Sequence, residues 1–317
     1  MAAVPGMPGW LRRGPMLPTA GPPPVGSGWA VEIKWDGVRV LVVSGPVGLR
    51  VISRNGRDMT SSFPELAALT EVLGGRRAVL DGEIVVLGSG GQPDFSRLQA
   101  RVHRDRPTTA LLRDVPVRLY AFDLLHLDGV DLLAEPYVDR RDHLDAVGLE
   151  HGPVHVPDCY TDIPPVKMLA VAREHHLEGI VAKRLTSRYA PGTRSPEWIK
   201  TTIRRSTEVT VGGWVPGTGA HRHVLGALLV GVRDDRGRLR YAGHVGTGFA
   251  ERDRAVFAAG LDELARTTSP FTDPVPPEFA AAARWVEPLV VAEVEFREWT
   301  AGGHLRHPSF RRIVVPS

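Results

Sequence analysis

The stretch EIKWDGVR at residues 32–39 decides how the rest of the chain is interpreted. It places Lys34 between two acids, Glu32 and Asp36, and follows them with a glycine and Arg39. Side chains of a β-strand alternate between its two faces, so Glu32, Lys34 and Asp36 are predicted to share one face. Such a lysine either lies on the solvated face of an edge strand or acts as a nucleophile toward phosphorus. The stretch alone leaves both interpretations open.

The rarity of lysine favours the nucleophile. Lysine and arginine together number 39, yet the only lysines are Lys34, Lys167, Lys183 and Lys200. Arginine is effectively always protonated, whereas lysine can lose its proton and attack an electrophile. A codon bias explains the arginines of the surface, and a retained lysine indicates a position where a guanidinium cannot substitute. Lys167 falls in a predicted helix, and we interpret it as a surface residue.

Composition narrows the class of protein. Hydrophobic residues make up 43% of the 317 residues, which is enough for a real core. No apolar run is long enough for a membrane span, and the N-terminus lacks the pattern of a secretory signal. The single cysteine, Cys159, excludes internal disulfides and Cys-rich zinc modules. The net charge of +3 indicates only a mild preference for polyanions. We expect a cytoplasmic monomer without a membrane partner.

Changes in composition divide the chain into three parts. Residues 1–28 are rich in Pro and Gly and are predicted to be an extended lead-in without a regular element. Residues 29–203 alternate β-like runs with amphipathic helical ones, which predicts an α+β domain. Residues 204–317 consist mainly of β runs separated by Gly-rich turns, which favours a small Greek-key barrel of the oligonucleotide-binding (OB) type.

Four predicted elements bear on the site. The segment 30–37, AVEIKWDG, is predicted to be a strand that carries Lys34. The segment 117–129 is predicted to be a buried strand that ends in an Asp-Gly turn. Helices are predicted at 94–103 and at 250–267.

Six segments resemble, in order, the motifs of the covalent nucleotidyltransferases, which include DNA ligases, RNA ligases and mRNA-capping guanylyltransferases. The segment KWDGVR resembles the adenylation motif K-x-D-G-x-R of that superfamily. The other five matches are SRNG at 53–56, DGE at 81–83, YAFD at 120–123, EGIVAK at 178–183 and the segment 194–200 that ends in WIK. Six matches in the right order are hard to obtain by chance.

The resemblance continues beyond the catalytic motifs. GGWVPG at 212–217, EWT at 298–300 and LRHPSF at 305–310 are similar to segments of bacterial ATP-dependent DNA ligases of the repair and end-joining type. The resemblance therefore covers nearly the whole chain. It implies an α+β fold, in which an ATP-grasp-like nucleotidyltransferase domain of antiparallel sheets with flanking helices precedes a C-terminal OB-fold β-barrel.

The resemblance implies that Lys34 attacks the α-phosphorus of ATP and retains AMP as a phosphoramidate. A free lysine amine has a pKa near about 10.4, so neighbouring cations must favour its neutral form. Transfer of AMP to the 5′-phosphate of a nick and attack by the 3′-hydroxyl would complete the reaction. The expected substrate is nicked double-stranded DNA, and DNA-repair proteins are possible partners.

The resemblance also assigns the other site residues. Lys183 and Lys200 are expected at the α-phosphate, Arg39 and Arg54 at the ribose or phosphates, and Phe122 as the stacking face for adenine. Glu83 is expected at the ribose, and Glu83 with Glu178 as the carboxylates that bind Mg²⁺ or Mn²⁺. Glu32 and Arg194 complete the expected nucleotide contacts. Without the resemblance, Phe122 would be interpreted as a core residue, the glutamates as solvated strand ends and Arg194 as a loop salt bridge.

Two departures from the family pattern keep alternatives open. Thr202 stands where the family often has a second lysine, and RRIVVPS at 311–317 replaces the family's R-x-D-K signature. We therefore expect weak self-adenylylation, while sealing of pre-adenylated nicks persists. The alternatives are an RNA ligase or capping-type guanylyltransferase, and a nick-binding protein with impaired self-adenylylation.

Overall fold

The computed structural model of the protein describes residues 8–46, 48–102, 104–219, 222–300 and 302–314. The chain divides into two compact units, Met1–Ile203 and Arg204–Ser317. In the described ranges, no helix is both long enough and apolar enough to cross a membrane.

The first unit contains strands and short helices, which we number in chain order. The strands are β1 (Leu17–Ala20), β2 (Trp29–Ile33), β3 (Val38–Gly45), β4 (Gly48–Ser53), β5 (Ala78–Val85), β6 (Arg118–Leu127), β7 (Val130–Asp131), β8 (Val154–His155), β9 (Gly179–Arg184) and β10 (Arg194–Thr202). The α-helices are α1 (Ala68–Val72), α2 (Phe95–Leu98), α3 (Thr109–Asp114), α4 (Tyr137–Val147) and α5 (Pro165–Glu174), with 3₁₀ turns at Gly9–Arg13, Thr60–Ser62 and Pro64–Ala67.

Two sheets of the first unit share a core. One sheet has the order β1-β10-β9-β2, and the other has the order β4-β3-β5-β6-β7 with β8 beside β6. Neighbouring strands are antiparallel, except that β1 is parallel to β10 and β8 is parallel to β6. On β3, Leu41 and Val43 pack with Trp198 of the first sheet, whereas Val40 and Val42 belong to a second cluster with α1. Because successive side chains of β3 point to opposite faces, and each face packs in a core cluster, the second sheet is buried on both faces.

The N-terminal segment contradicts the prediction of a lead-in without an element. Its described part, residues 8–28, contains the 3₁₀ turn Gly9–Arg13 and strand β1. Met16 is fully buried, and its N–H donates to the Tyr189 hydroxyl, 173 residues away in the chain. Local composition misled the prediction because the partners of this segment are distant in sequence. Residues 1–7 of the predicted lead-in and residues 315–317 of the C-terminal segment lie outside the described residues.

The strand predicted at 30–37 is shorter in the structure. Strand β2 ends at Ile33, so Lys34 follows the strand, and the prediction that Glu32, Lys34 and Asp36 share one strand face is wrong. The Lys34 N–H donates to the Gly179 carbonyl, and the chain then turns toward β3 at Gly37. A Cβ at Gly37 would overlap the Ile84 carbonyl of the neighbouring strand, so this turn requires glycine.

Both predicted helices are also shorter than expected. The α-helix predicted at 94–103 covers only Phe95–Leu98, and residue 103 lies outside the described residues. The helix predicted at 250–267 covers Arg254–Asp262, preceded by a 3₁₀ turn, because Ala265–Arg266 forms a strand pair instead. The predicted Asp-Gly turn after β6 is present, since Asp128 and Gly129 both have positive φ angles.

The second unit is built mainly from strands. These are β11 (Arg205–Pro216), β12 (Leu225–Arg233), β13 (Leu239–Val245), β14 (Ala265–Arg266), β15 (Arg284–Val286), β16 (Val291–Phe296) and β17 (Ser309–Val314), with helices α6 (Arg254–Asp262) and α7 (Pro277–Ala280). Strand β11 pairs with β12 on one side, and its other side is shared by β15 and β16. Helix α6 contributes Ala258 and Leu261 to the core. No ladder in the described part of the unit joins β13 to β17, so the predicted barrel is partly open.

Candidate nucleotide-binding and catalytic site

Side chains from both sheets of the first unit line one cavity of about 170 Å³. The cavity brings together eight residues predicted from the sequence, which are Glu32, Lys34, Arg39, Arg54, Glu83, Phe122, Lys183 and Lys200. The register of the strands explains how they meet. Arg39 lies opposite Glu83 on β5, and Lys200 on β10 lies opposite Val181 on β9.

Lys34 is held against Glu178 at the edge of this cavity. Its Nζ lies 2.5 Å from Oε2 of Glu178, and the two side chains are 21% and 8% exposed. Glu178 directly precedes β9, whose first residue, Gly179, has a φ of +145°. A Cβ at Gly179 would overlap the Thr201 carbonyl, so glycine lets β9 begin where its carbonyl can accept from Lys34. Glu178 is not a lining residue of the cavity, but it contacts the predicted nucleophile directly.

Glu83 is a carboxylate with an unusual proton affinity. Burial raises the pKa of Glu83 to about 7, and the charges of Glu178 and Asp81 act in the same direction. The nearby cations Arg39 and Lys34 oppose this shift without overcoming it. The side chain therefore exchanges its proton near neutral pH, which makes any role of the charged form sensitive to pH.

Arg39 is fixed by a buried carboxylate. Its Nε and Nη2 donate to the two oxygens of Asp81 at 2.5 and 2.7 Å. Burial alone lowers the pKa of Arg39, but the charge and hydrogen bonds of Asp81 outweigh it and hold the pKa above its ordinary value. The guanidinium carbon lies 4.5 Å from the centre of the Phe122 ring. Arg39 is thus a permanent cation with a fixed plane at the cavity wall.

Lys183 is enclosed more completely than the sequence implied. Its Nζ lies 2.7 Å from Oε1 of Glu32, and both side chains are almost fully buried. The rings of Phe122, Tyr137 and Trp198 surround the ammonium, with their centres 4.4 to 4.7 Å away. The Tyr137 hydroxyl also donates to Glu32. The Lys183 charge is therefore already paired, which favours a role in fixing Glu32 over the expected contact with the α-phosphate.

Lys200 lies among other cations. Burial lowers the pKa of Lys200, and the charges of Lys34 and Arg194 lower it further, against the opposing charge of Glu178. This is the crowding of positive charge that a lysine nucleophile needs close to it. The charges of Lys200 and Lys34 therefore act on each other across the site.

Arg194 is the one predicted nucleotide contact that does not line the cavity. It is exposed at the start of β10, and its Nη1 donates to the Pro18 carbonyl at 2.6 Å. Its connection to the site is the electrostatic effect on Lys200.

Several site residues had no role in the sequence-based prediction. Trp35 lines the cavity and stacks on Tyr120, with ring centres 3.7 Å apart and planes 4° apart. Leu17 and Pro18 of the N-terminal strand form part of the wall. Trp35 directly follows the predicted nucleophile, and this position in the sequence could have identified it as a site residue. The N-terminal strand gave none, because its contacts are formed only in the folded chain.

The carboxylates Glu83 and Glu178 suit a hard divalent cation. The charge of Glu178 helps to raise the pKa of Glu83, so the two carboxylates interact. Carboxylate oxygens are the ligands that Mg²⁺ and Mn²⁺ prefer. Across the described ranges, no cluster of three or more metal-ligating side chains occurs. The two carboxylates therefore suit a cation that takes only a few ligands from the protein and completes its shell with nucleotide phosphates and water.

A lysine held against a carboxylate and crowded cations at one cavity, followed by a β-rich second unit, are the features of a nucleotidyltransferase with an OB-type domain. The sequence model of the ATP dependent DNA ligase domain matches residues 24–201, and that of the ATP dependent DNA ligase C terminal region matches residues 221–314. The chain therefore belongs to the family of ATP-dependent DNA ligases. This confirms the family predicted from the motifs.

Known relatives agree with this assignment. The chain is 42% identical over 287 residues to the multifunctional non-homologous end joining DNA repair protein LigD of Mycobacterium tuberculosis H37Rv, a match that covers 90% of this chain and 36% of that protein. It is 34% identical over 311 residues to LigD of Pseudomonas aeruginosa PAO1, which covers 97% of this chain and again 36% of the relative. The chain thus spans about a third of the length of these relatives.

A solved structure supports the fold class. The mycobacterial DNA ligase D complexed with ATP and MES is 40% identical, with a TM-score of 0.55. The match covers 95% of this chain and 94% of that one. The predicted α+β class, a nucleotidyltransferase unit followed by an OB-fold unit, is confirmed.

Proposed function

We propose that this chain is an ATP-dependent DNA ligase that seals nicks through AMP carried on Lys34. The observation that carries the proposal is the position of Lys34 at the cavity lined by both sheets, 2.5 Å from Glu178 and within the electrostatic reach of Lys200. In this proposal residues 29–203 form the adenylation domain and residues 204–317 the OB-fold domain.

In the first step the Lys34 amine loses its proton and attacks the α-phosphorus of ATP. Glu178 is the group placed to accept that proton. The bond from Nζ to phosphorus forms, the bond from phosphorus to the bridging oxygen breaks, and pyrophosphate leaves. Lys200, Arg39 and Arg54 supply the positive charge that stabilises a phosphoryl transition state.

Two groups would recognise the base. The buried carboxylate of Glu32 is an acceptor, which matches the amino group of adenine and opposes the carbonyl of guanine at the same position. Phe122, fixed against Arg39 and Lys183, offers its ring for stacking. Adenine is therefore the proposed base.

Glu83 and Glu178 would hold a divalent cation, Mg²⁺ or Mn²⁺, which would neutralise phosphate charge when bound. For the chain itself, this role requires Glu83 to be deprotonated, and its pKa of about 7 sets the pH at which that happens. Glu178 can hold a cation only in its charged form, so the proton that it takes from Lys34 must first pass to solvent.

The remaining steps need nicked duplex DNA. AMP would pass from Lys34 to the 5′-phosphate, and the 3′-hydroxyl would then displace AMP. Arginines of the second unit are suited to contacts with the DNA backbone, which give affinity without sequence preference. Association with DNA-repair proteins, a monomeric state and a cytoplasmic location remain predictions from the sequence.

Incubation with α-labelled ATP tests the proposal. The unaltered chain should retain acid-labile label, Lys34→Ala should retain none, and Lys167→Ala, which alters an exposed helical lysine, should label normally. Label should leave the protein when a nicked duplex is added, and a sealed strand should appear. Labelling by GTP in place of ATP would instead support a guanylyltransferase, and persistent label in Lys34→Ala would show that another residue is the nucleophile.

A pre-adenylated nick separates ligation from nick binding. A ligase with slow self-adenylylation should still seal this substrate without ATP. A chain that binds the pre-adenylated nick but never joins it would be a nick-binding protein, which would overturn the proposal.

A further inference from the structure

The hydroxyl of Tyr189 joins two parts of the first unit that are far apart in sequence. Tyr189 is 3% exposed. Its hydroxyl donates to Oδ2 of Asp81 at 2.5 Å and accepts from the Met16 N–H at 3.0 Å. One oxygen atom thus connects the N-terminal segment to a carboxylate of β5.

That carboxylate is the anchor of Arg39. Asp81 has no exposed surface, and both of its oxygens accept from the Arg39 guanidinium. A buried carboxylate must be neutralised and hydrogen-bonded in place, so the position of Asp81 determines the plane of the guanidinium. The remaining N–H groups of Arg39 then have a fixed direction at the cavity wall, against the face of Phe122.

The N-terminal segment is held by backbone hydrogen bonds on both sides of Met16. Gly192 N donates to the Gly14 carbonyl at 2.9 Å, and Leu17 N donates to the Thr193 carbonyl at 2.8 Å. Beyond Met16, strand β1 runs parallel to β10 and places Ala20 opposite Lys200. The segment therefore cannot shift without moving the chain that carries Tyr189.

We propose that Tyr189 is a positioning residue for nucleotide binding, through which the N-terminal strand sets the direction of Arg39 by way of Asp81. The inference rests on the proposed function, because it requires Arg39 to contact the bound nucleotide. Removal of the hydroxyl leaves Asp81 with fewer donors and leaves the buried Met16 N–H without its acceptor. The nucleotide must then bind to an Arg39 that is no longer held in one orientation, which weakens binding before any chemistry.

The variant Tyr189→Phe isolates this effect, because the ring keeps its edge contact with Trp198, whose centre is 5.7 Å away. A matched control is Tyr160→Phe, which also removes a hydroxyl bonded to an aspartate, Asp158, at 3.1 Å but lies outside the cavity lining. Single-turnover labelling across a range of ATP concentrations gives the half-saturating ATP, the maximal rate and the fraction of labelled protein.

We expect Tyr189→Phe to raise the half-saturating ATP concentration about ten-fold, because the loss of one hydrogen bond to a charged group weakens binding by about that factor. The labelled fraction at saturating ATP should match that of the unaltered chain and of Tyr160→Phe. A merely structural role predicts the reverse, a smaller labelled fraction at an unchanged half-saturating concentration, and that result would overturn the inference.

A double-mutant cycle with Arg39→Lys tests whether Tyr189 acts through Arg39. In the Arg39→Lys chain, Tyr189→Phe should change the half-saturating ATP by less than about two-fold, because a shared route makes the effects non-additive. Full additivity would refute the route through Arg39. If the unaltered chain takes no label from ATP, the proposed function fails; if it labels and Tyr189→Phe behaves as Tyr160→Phe does, only this inference fails.

Discussion

The Nζ atom of Lys34 lies 2.5 Å from Oε2 of Glu178, and the carboxylate is the less exposed partner of the pair. The proposed nucleophile thus lies next to a group that can take its proton. The charge of the same carboxylate also acts on Lys200, whose pKa it raises against the lowering by burial and by Lys34. In the proposed reaction, one side chain would therefore serve both the activation of Lys34 and the charge balance around the phosphates.

Replacement of Glu178 should remove this activation. In Glu178→Gln, the amide keeps the shape of the side chain but cannot accept the proton, and we expect the rate of labelling by ATP to fall about 100-fold or more. Circular dichroism should show an unchanged fold. Glu174→Gln, four residues earlier on the exposed end of α5, is the control and should label at the normal rate. A labelling rate within about two-fold of normal in Glu178→Gln would exclude this role.

The pKa of Glu83 predicts a pH dependence. Because burial raises this pKa to about 7, the carboxyl is mostly protonated below that pH and mostly charged above it. A cation needs the charged form, so the Mg²⁺ concentration that half-activates labelling should rise about ten-fold for each pH unit below the pKa. The measurement is a Mg²⁺ titration of the labelling rate at several pH values.

Glu83→Gln should lose this dependence together with most of the activity. Glu71→Gln, which alters an exposed glutamate of α1, should keep the full dependence. A half-activating Mg²⁺ concentration that is constant from about pH 6 to about pH 8 in the unaltered chain would contradict the assignment.

Lys200 predicts a loss of activity at alkaline pH. Its pKa is lowered by burial and then by Lys34 and Arg194, so it loses its charge at a lower pH than an ordinary lysine does. If the charged form stabilises the α-phosphate, the labelling rate should fall as the pH rises through this lowered pKa. In Lys200→Arg the cation persists at alkaline pH. The fall of the labelling rate should therefore move to higher pH, even where the maximal rate is reduced. Lys167→Arg should leave the pH dependence of the labelling rate unchanged. If Lys200→Arg loses activity at the same alkaline pH as the unaltered chain, the loss belongs to another group.

The buried pair of Lys183 and Glu32 makes a prediction about stability. Lys183→Met fits an apolar chain among the three rings but leaves Glu32 buried without its cation, which should cost about 3–5 kcal/mol in the free energy of unfolding. The double variant Lys183→Met, Glu32→Gln removes both charges and should regain most of that loss. Urea denaturation measures both. A double variant that is no more stable than Lys183→Met alone would contradict the pairing.

Glu32 also predicts the choice of base. In Glu32→Gln the acceptor is replaced by an amide that can also donate, so the preference for ATP over GTP in labelling should fall about ten-fold or more. Competition between the two labelled nucleotides measures this ratio directly. An unchanged ratio would place the recognition of the base elsewhere in the cavity.

The sequence predicted the site wherever chemistry is confined to a short motif. Lys34, Glu83, Glu178 and Lys200 each lie in a segment whose residue types and order indicate nucleotidyl transfer, and the cavity or a direct contact brings them together. Helix and strand ends were less predictable. The pattern at 30–37 continues as a strand in the sequence, but in the fold β2 ends at Ile33, and the Lys34 N–H makes a last bond to β9 at the Gly179 carbonyl before the chain turns.

By itself, the sequence predicted the family, through the order of its motifs, and the division into an α+β part and a β part, because local residue types and periodicity carry that information; Lys34 as the nucleophile stays a prediction. Only the tertiary structure decided that the N-terminal segment forms a wall of the cavity, that Lys183 pairs with Glu32 and that Tyr189 holds Asp81, 108 residues away. Each of these contacts depends on which buried polar groups meet once the sheets have packed. A buried charge or hydroxyl takes the partner that the fold supplies, and neighbouring residues in the chain do not reveal it.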